Sequence, residues 1–498
     1  MNTSTSPPFE STEQARRRHR TLIYLLACAY REALGNGDLH ISYSVGNGIF
    51  ARPFDHRPLL PRQVEQIKEE IAGRVRARVP LKPLELRRRE VLARLREVKD
   101  IRTLRWLQDI RGPLPPVYPC GEGLMAFEGP LCDHTGDVGA WDLQPYPPGL
   151  LLRYPQPQET RLLPYRERPT LFRAFYEAER WGRVYDASFV SDVNRRITRG
   201  GIEDLILVSE ALVGRKIATI ADSILQRHPG PRVILVSGPS ASGKTSFAHR
   251  LRIELRLLGL RPNAMSLDDF YLPRSRVPRT KSGEYDYEVL EAIDIGYFNE
   301  VLLRLIAGET VRPPRMDFAT HHRRHGSPIS IRDNGVLIVE GIHGLNPRLT
   351  PHVTRASTFR IYVSALTHLN WDELNRVSTT DLRLLRRIVR DRRARSTTAT
   401  ETLSRWPVVR HGETRHIFPF QEEADVMLNS ALPFELNALK EPAEAALAEV
   451  QDPGLQGEFQ RLRRLLAAVR PLPEEVLART LPPFSLFREF IGGSVFTP

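Results

Sequence analysis

Cysteine is the scarcest informative residue here: Cys28, Cys120 and Cys132 are all that 498 residues contain. Three thiols cannot build a disulfide framework, which excludes the small stapled folds of oxidising compartments. No apolar run reaches bilayer-spanning length, so no transmembrane helix and no membrane partner are expected. Residues 22–30 are apolar and follow Arg16, Arg17, Arg18 and Arg20, as in a signal peptide. They run straight into Arg31 and Glu32 without a small-residue cleavage site, so they read as a buried helix of a cytoplasmic protein. No repeat or low-complexity array is present. Lysine is also sparse, at seven of 72 basic residues. The net charge of +13 therefore rests on arginine spread along the whole chain, not on one basic run with interleaved aromatics. Two readings stay open: solvated arginine faces, or a surface for a polyanion such as RNA.

What is there is most specific at residues 233–245. An apolar run ends at Gly238, and Gly243-Lys244-Thr245 completes a G-x-x-x-x-G-K-[ST] phosphate loop between a strand and an amphipathic helix. Its glycines allow a tight turn with inward-facing N–H groups, and the helix beginning near Lys244 adds the positive end of its dipole. Gly238, Ser240, Ala241, Ser242, Gly243, Lys244, Thr245 and Ser246 thus form the expected ATP cradle. Lys244 reaches the β- and γ-phosphates, and the Thr245 hydroxyl holds Mg²⁺.

Around this loop, apolar β runs at 233–236, 264–267, 336–339, 359–363 and 424–428 alternate with helical stretches. That alternation predicts an α/β fold with a parallel sheet covered by helices. Asp268 and Asp269 follow the second run, at the sheet edge where ligands bind. One of them can take the proton from an attacking hydroxyl, or both simply cap a loop. Glu340 ends the third run and either orders Mg²⁺ or caps a turn. Arg383, Arg387 and Arg390 share a helical face in an arginine run that reaches Arg395. So many like charges repel unless an anion joins them, which suits a transferring phosphoryl group, although a solvated basic face is the alternative. Pro314 to Phe318 with His321, His322 and Arg323 reads as a hairpin over a substrate.

Together these segments resemble the uridine–cytidine kinase family, within the wider group of phosphoribulokinase and pantothenate kinase, over roughly residues 230–432. The resemblance implies ATP and Mg²⁺, a pyrimidine ribonucleoside as acceptor, and Asp268 as the base for its 5′-hydroxyl. It implies that Asp286 holds ribose hydroxyls, that Tyr271 and His321 line the acceptor, and that Thr245, Glu340 and Asp268 serve the metal. Arg387, Arg390 and Arg395 match lid arginines, and the family's frequent homo-oligomers extend to this chain as an expectation. Three positions depart from the pattern: Met316 replaces a tyrosine beside the base, Ser396 a lid glycine, and Thr397 a lid arginine.

The first half resembles the editing-type second domain of threonyl-tRNA synthetase, on residues 41–50 and 60–67. That domain places two histidines on its first helix and a later Cys and His; here the positions are Tyr24, Cys28, Phe127 and Leu131. The combined order resembles a bacterial and archaeal group of fused uridine kinase-like proteins, as do residues 416–425 and 487–494. The expected layout is an unstructured 1–18, an α+β editing-like domain at 19–168, a helical link at 169–229, the kinase at 230–435 and a helical extension at 436–498. Three functions follow: a pyrimidine nucleoside kinase, a kinase of another small hydroxylated metabolite, or an ATP-switched RNA-binding regulator.

Overall fold

The computed structural model describes residues 9–35, 37–155, 161–227, 230–280, 283–317 and 322–496. Its first helix, Phe9–Leu34, starts well before the expected residue 22, so 9–18 are helical where an unstructured tail was expected. The basic run finds partners that fix it: Arg17 donates to the Leu131 carbonyl at 2.8 Å and to Asp133, and Arg20 donates to the Pro130 carbonyl. The rest of that expected tail, 1–8, lies outside the described residues.

The helix packs on Pro61–Ala77, whose Val64, Ile67 and Ile71 are buried as their spacing predicts. Beside it, Leu39–Val45 and Gly48–Pro53 form an antiparallel hairpin. Asp142–Tyr146 and Gly149–Arg153 complete a four-stranded antiparallel sheet, and Val117–Cys120 pairs with Gly123–Ala126 apart from it. This first half is therefore α+β.

The second half holds a five-stranded parallel sheet in the order Val426–Asn429, Thr358–Ser364, Val233–Ser237, Gly335–Glu340, Arg261–Ser266. Val233–Ser237 is central and fully buried, so the loop after it opens at the middle of the sheet's C-terminal edge. Helices cover both faces, including Lys244–Leu257, Ile295–Ile306 and Thr379–Ala394. Leu267 leaves the expected second strand and begins a single 3₁₀ turn, Leu267–Phe270, that turns the chain across the edge.

Two expected boundaries dissolve in the packing. Pro169–Val184, Val190–Arg199 and Ile202–Gln226 are helical, yet they do not merely link halves. One apolar cluster joins Val91, Leu205, Ile217, Ile234, Phe247, Leu384, Leu462 and Phe490. The helical region and the C-terminal helices therefore share the kinase core, and the end of the chain returns to the helix that follows the phosphate loop.

Candidate active site

The loop from Gly238 to Thr245 is forced by contact. A side chain at Gly238 would bring its Cβ to 1.9 Å from the Val363 carbonyl oxygen on the adjacent strand. Gly243 sits at φ +83°, where other residues are strained, and caps the Lys244–Leu257 helix. Lys244 reaches back to the Pro239 carbonyl at 3.1 Å. Burial pushes its ammonium below the usual lysine range, while Glu340 and Asp268 pull it up.

Those two carboxylates stand where the sheet edge predicted. Ser266 donates to Glu340 at 2.9 Å and its hydroxyl accepts from the Asp268 N–H, so one serine ties the ends of the two neighbouring strands. Desolvation, then the nearby Asp268, raises Glu340 to about 7. Asp268 is likewise raised by desolvation, with Lys244, Arg395 and Arg390 opposing. Two recessed, mutually repelling carboxylates are a donor set that fits a hard divalent cation such as Mg²⁺. Among the described residues no group of three or more His, Cys, Asp or Glu gathers as a metal cage. A cation here would thus take much of its coordination from phosphate and water.

The neighbouring aspartates separate cleanly. Asp269 is 5 % exposed, accepts from the Met316 N–H at 2.9 Å and pairs with Arg315, so it anchors the hairpin. Asp268 instead lies within electrostatic reach of Lys244, Arg395 and Arg390. The hairpin itself pairs Pro314–Asp317 with His322–His325, and Arg323 crosses from it to the Phe270 and Tyr271 carbonyls. His322 is exposed, and the His321 expectation lies outside the described residues. Tyr271 donates to the Tyr287 carbonyl at 3.2 Å.

On the acceptor side the arrangement differs from expectation. Asp286 accepts the N–H of Glu288 at 3.0 Å and so shapes its own turn. Glu288, two residues on, is the acid within reach of Asp268 and Arg387. Desolvation and then Glu413 push Glu288 up to about 8. The sequence points to Asp286 alone, and the structure adds Glu288 as a second acid near it.

The arginine run does have its anion, but the protein supplies it. Asp391 gathers Arg387, Arg390 and Arg395, with Arg390 bound at 2.8 Å and Arg395 at 3.7 Å. Arg386 is held by Glu435 and reaches the Ala241 and Ser430 carbonyls. Arg383 pairs with Glu413, and the two grip Ser240 from both ends of one residue. Arg383 donates to its carbonyl at 2.9 Å, and Glu413 accepts its N–H at 3.0 Å. Arg387 adds a bond to the Ser240 hydroxyl at 2.9 Å. Ser430 donates to the Ser242 carbonyl at 2.6 Å. The helix Thr379–Ala394 and the phosphate loop are therefore one rigid unit. Glu413 is 30 residues from Arg383 in sequence, and no local pattern announces it.

In the first half, Tyr24, Cys28, Phe127 and Leu131 lie in one buried apolar cluster. Tyr24 donates to the Pro119 carbonyl at 2.7 Å, its ring centroid is 6.3 Å from that of Phe127, and the free Cys28 thiol donates a hydrogen bond to the Cys120 sulfur.

The parallel sheet and its central phosphate loop lie in a segment that is similar to known proteins. Residues 233–434 match the phosphoribulokinase / uridine kinase family. A uridine kinase of Lactobacillus helveticus is 25 % identical over 199 residues, which span 40 % of this chain and 86 % of that one. A uridine kinase of Saccharomyces cerevisiae is 27 % identical over 203 residues, 40 % of this chain and 37 % of that one. A solved structure titled a possible uridine kinase from Bacillus stearothermophilus is 19 % identical, covers 43 % of this chain and 98 % of that one, and superposes with a TM-score of 0.30. The family match covers none of residues 1–232. No helix among the described residues is long and apolar enough to cross a membrane.

Proposed function

We propose that the chain transfers the γ-phosphate of ATP to the 5′-hydroxyl of a pyrimidine ribonucleoside, uridine or cytidine. The observation that carries this is the placement of Asp268. It is desolvated and lies close to Lys244 and Glu340, while its neighbour Asp269 is committed to the hairpin. Gly238 to Ser246 would hold the nucleotide's phosphates on backbone N–H groups. Asp268 accepts the proton of the acceptor hydroxyl as that oxygen attacks the γ-phosphorus in line. The new O–P bond forms as the bond to the β,γ-bridging oxygen breaks, and ADP leaves. Lys244, Arg387, Arg390 and Arg395 face the charge that develops on the moving phosphoryl oxygens. Thr245 and Glu340, with Asp268 nearby, would hold Mg²⁺, which supplies neutralisation of the β- and γ-phosphates when bound. Glu288, Asp286, Tyr271, Met316 and His321 are the proposed acceptor contacts.

Met316 also supports a second reading, another small hydroxylated acceptor on the same machinery, because its flexible side chain fits several shapes. RNA binding gains less support, since many of the arginines that raised it pair with carboxylates inside the fold. The buried free thiols accord with a cytoplasmic setting, and assembly into a homo-oligomer stays part of the proposal. ADP release by the full chain, measured with ATP and Mg²⁺ across nucleosides, sugars and hydroxy acids, tests the reading. Uridine or cytidine should give the highest kcat/KM, and a sugar or hydroxy acid ahead of both would replace them as acceptor.

A further inference from the structure

The helix after the phosphate loop already carries an anion. Ser246 is in its first turn, where backbone N–H groups have no intrahelical acceptor. Its N–H donates to the Glu489 carboxylate at 3.3 Å and its hydroxyl donates to the same oxygen at 2.9 Å. In a phosphate loop of this pattern, Lys244 serves the outer phosphates and the N–H groups deeper in the helix serve the inner ones. Glu489 therefore sits in the seat of the donor's α-phosphate.

The segment that brings it there is firmly attached. Phe487 and Phe490 are fully buried, and Phe490 lies under Arg386 with the guanidinium 4.7 Å from its ring centroid. Arg393 donates to the Glu489 carbonyl at 3.0 Å and to the Phe490 carbonyl at 3.3 Å. Ser485 donates to Glu210 at 2.6 Å, and Phe496 stacks on His249 one turn beyond Ser246. Glu489 itself is only half-buried. The backbone is thus pinned on both sides of a side chain that is free to turn. The carboxylate also bears electrostatically on Lys244 and Glu340, which places it at the edge of the reacting centre.

We propose that Glu489 is a donor-site residue that holds the α-phosphate seat, and that a nucleotide binds by turning this carboxylate out while Phe487 and Phe490 stay in place. This rests on the kinase reading above. The seat then discriminates among polyphosphates. A nucleoside triphosphate has to expel Glu489, whereas inorganic pyrophosphate, filling only the two outer positions, does not.

Calorimetric titration of the full-length protein tests it, with ATP and with pyrophosphate, on wild type, Glu489→Gln and Glu489→Ala. Both variants should bind ATP about 5- to 10-fold more tightly and bind pyrophosphate within about twofold of wild type, because only the inner seat is freed. Equal gains for both ligands would reduce the effect to general charge and overturn the assignment. Unchanged or weakened ATP binding would overturn it as well. An unchanged melting temperature in Glu489→Gln shows that the anchors hold. Failure of ATP to bind any of the three proteins would instead refute the kinase reading itself.

Discussion

Glu413→Ala removes the centre of the network that fixes the phosphate loop. Arg383 is 1 % exposed and Glu413 has no exposed surface, and the pair holds Ser240 at both N–H and carbonyl. Arg410 donates to the second Glu413 oxygen at 2.7 Å. Truncation leaves a buried guanidinium and a loop N–H without their acceptor. Breaking a buried pair in this way costs about 3–5 kcal/mol. For a cooperative unit of 150–250 residues, each kcal/mol lowers the midpoint by about 2–4 °C, so the transition should fall by about 10 °C. Glu413→Gln keeps an acceptor for Ser240 and should lose less. The wild-type pair also sets an acid limit. Burial opposes ionisation of Glu413, but Arg383 and Arg410 overcome it and hold the carboxyl below its usual range. A depressed acid contributes stability above its unfolded pKa, which is lost as pH falls through the folded value. Scanning calorimetry should therefore find the wild-type midpoint falling below about pH 4.5, with a weaker slope in the alanine variant. A variant that melts within about 1 °C of wild type and keeps its KM for ATP would refute the clamp.

Asp268→Asn should preserve ATP affinity and lower kcat by about 10²–10⁴-fold, read in a coupled ADP assay. Gly238→Ala should abolish ATP binding while leaving the first half folded, because its Cβ would overlap the Val363 carbonyl; circular dichroism with a nucleotide titration separates the two effects. Glu340 near 7 and Glu288 near 8 have raised folded-state values, so folding favours their protonated forms. Their contribution is present at low pH and lost as pH rises from about 4.5 through 8. In the metal-free protein Glu288→Gln should flatten the upper part of that decline in melting temperature, and an unaltered pH profile would remove Glu288 from the cleft.

The kinase sheet was legible because its strands are short apolar runs, each ending in chemistry: Gly238, Asp268 and Glu340. The phosphate loop was legible because contact and dihedral constraints permit few residues at Gly238 and Gly243. Charge pairing was not legible. The arginine helix pointed to an external anion, whereas Asp391, Glu413 and Glu435 meet those arginines from within. Asp391 stood inside the run itself, but Glu413 and Glu435 arrive through tertiary packing alone. Glu288 was not singled out in the sequence, because only the fold brings it near Asp268 and Arg387. Domain limits failed for a related reason. Helical periodicity locates Ile202–Gln226 but does not say that its apolar face closes the kinase core. Arg17 reads as part of an unstructured tail until its carbonyl acceptor at Leu131 comes into view.

The central claim is that a nucleotide's terminal phosphate passes, at Asp268, to a nucleoside hydroxyl. Mass spectrometry of uridine and cytidine incubated with ATP, Mg²⁺ and the full-length protein tests it most directly. The account predicts a nucleoside 5′-monophosphate with wild type and at least 100-fold less with Asp268→Asn. Bound ATP with no phosphorylated nucleoside, or equal product from both proteins, would contradict it.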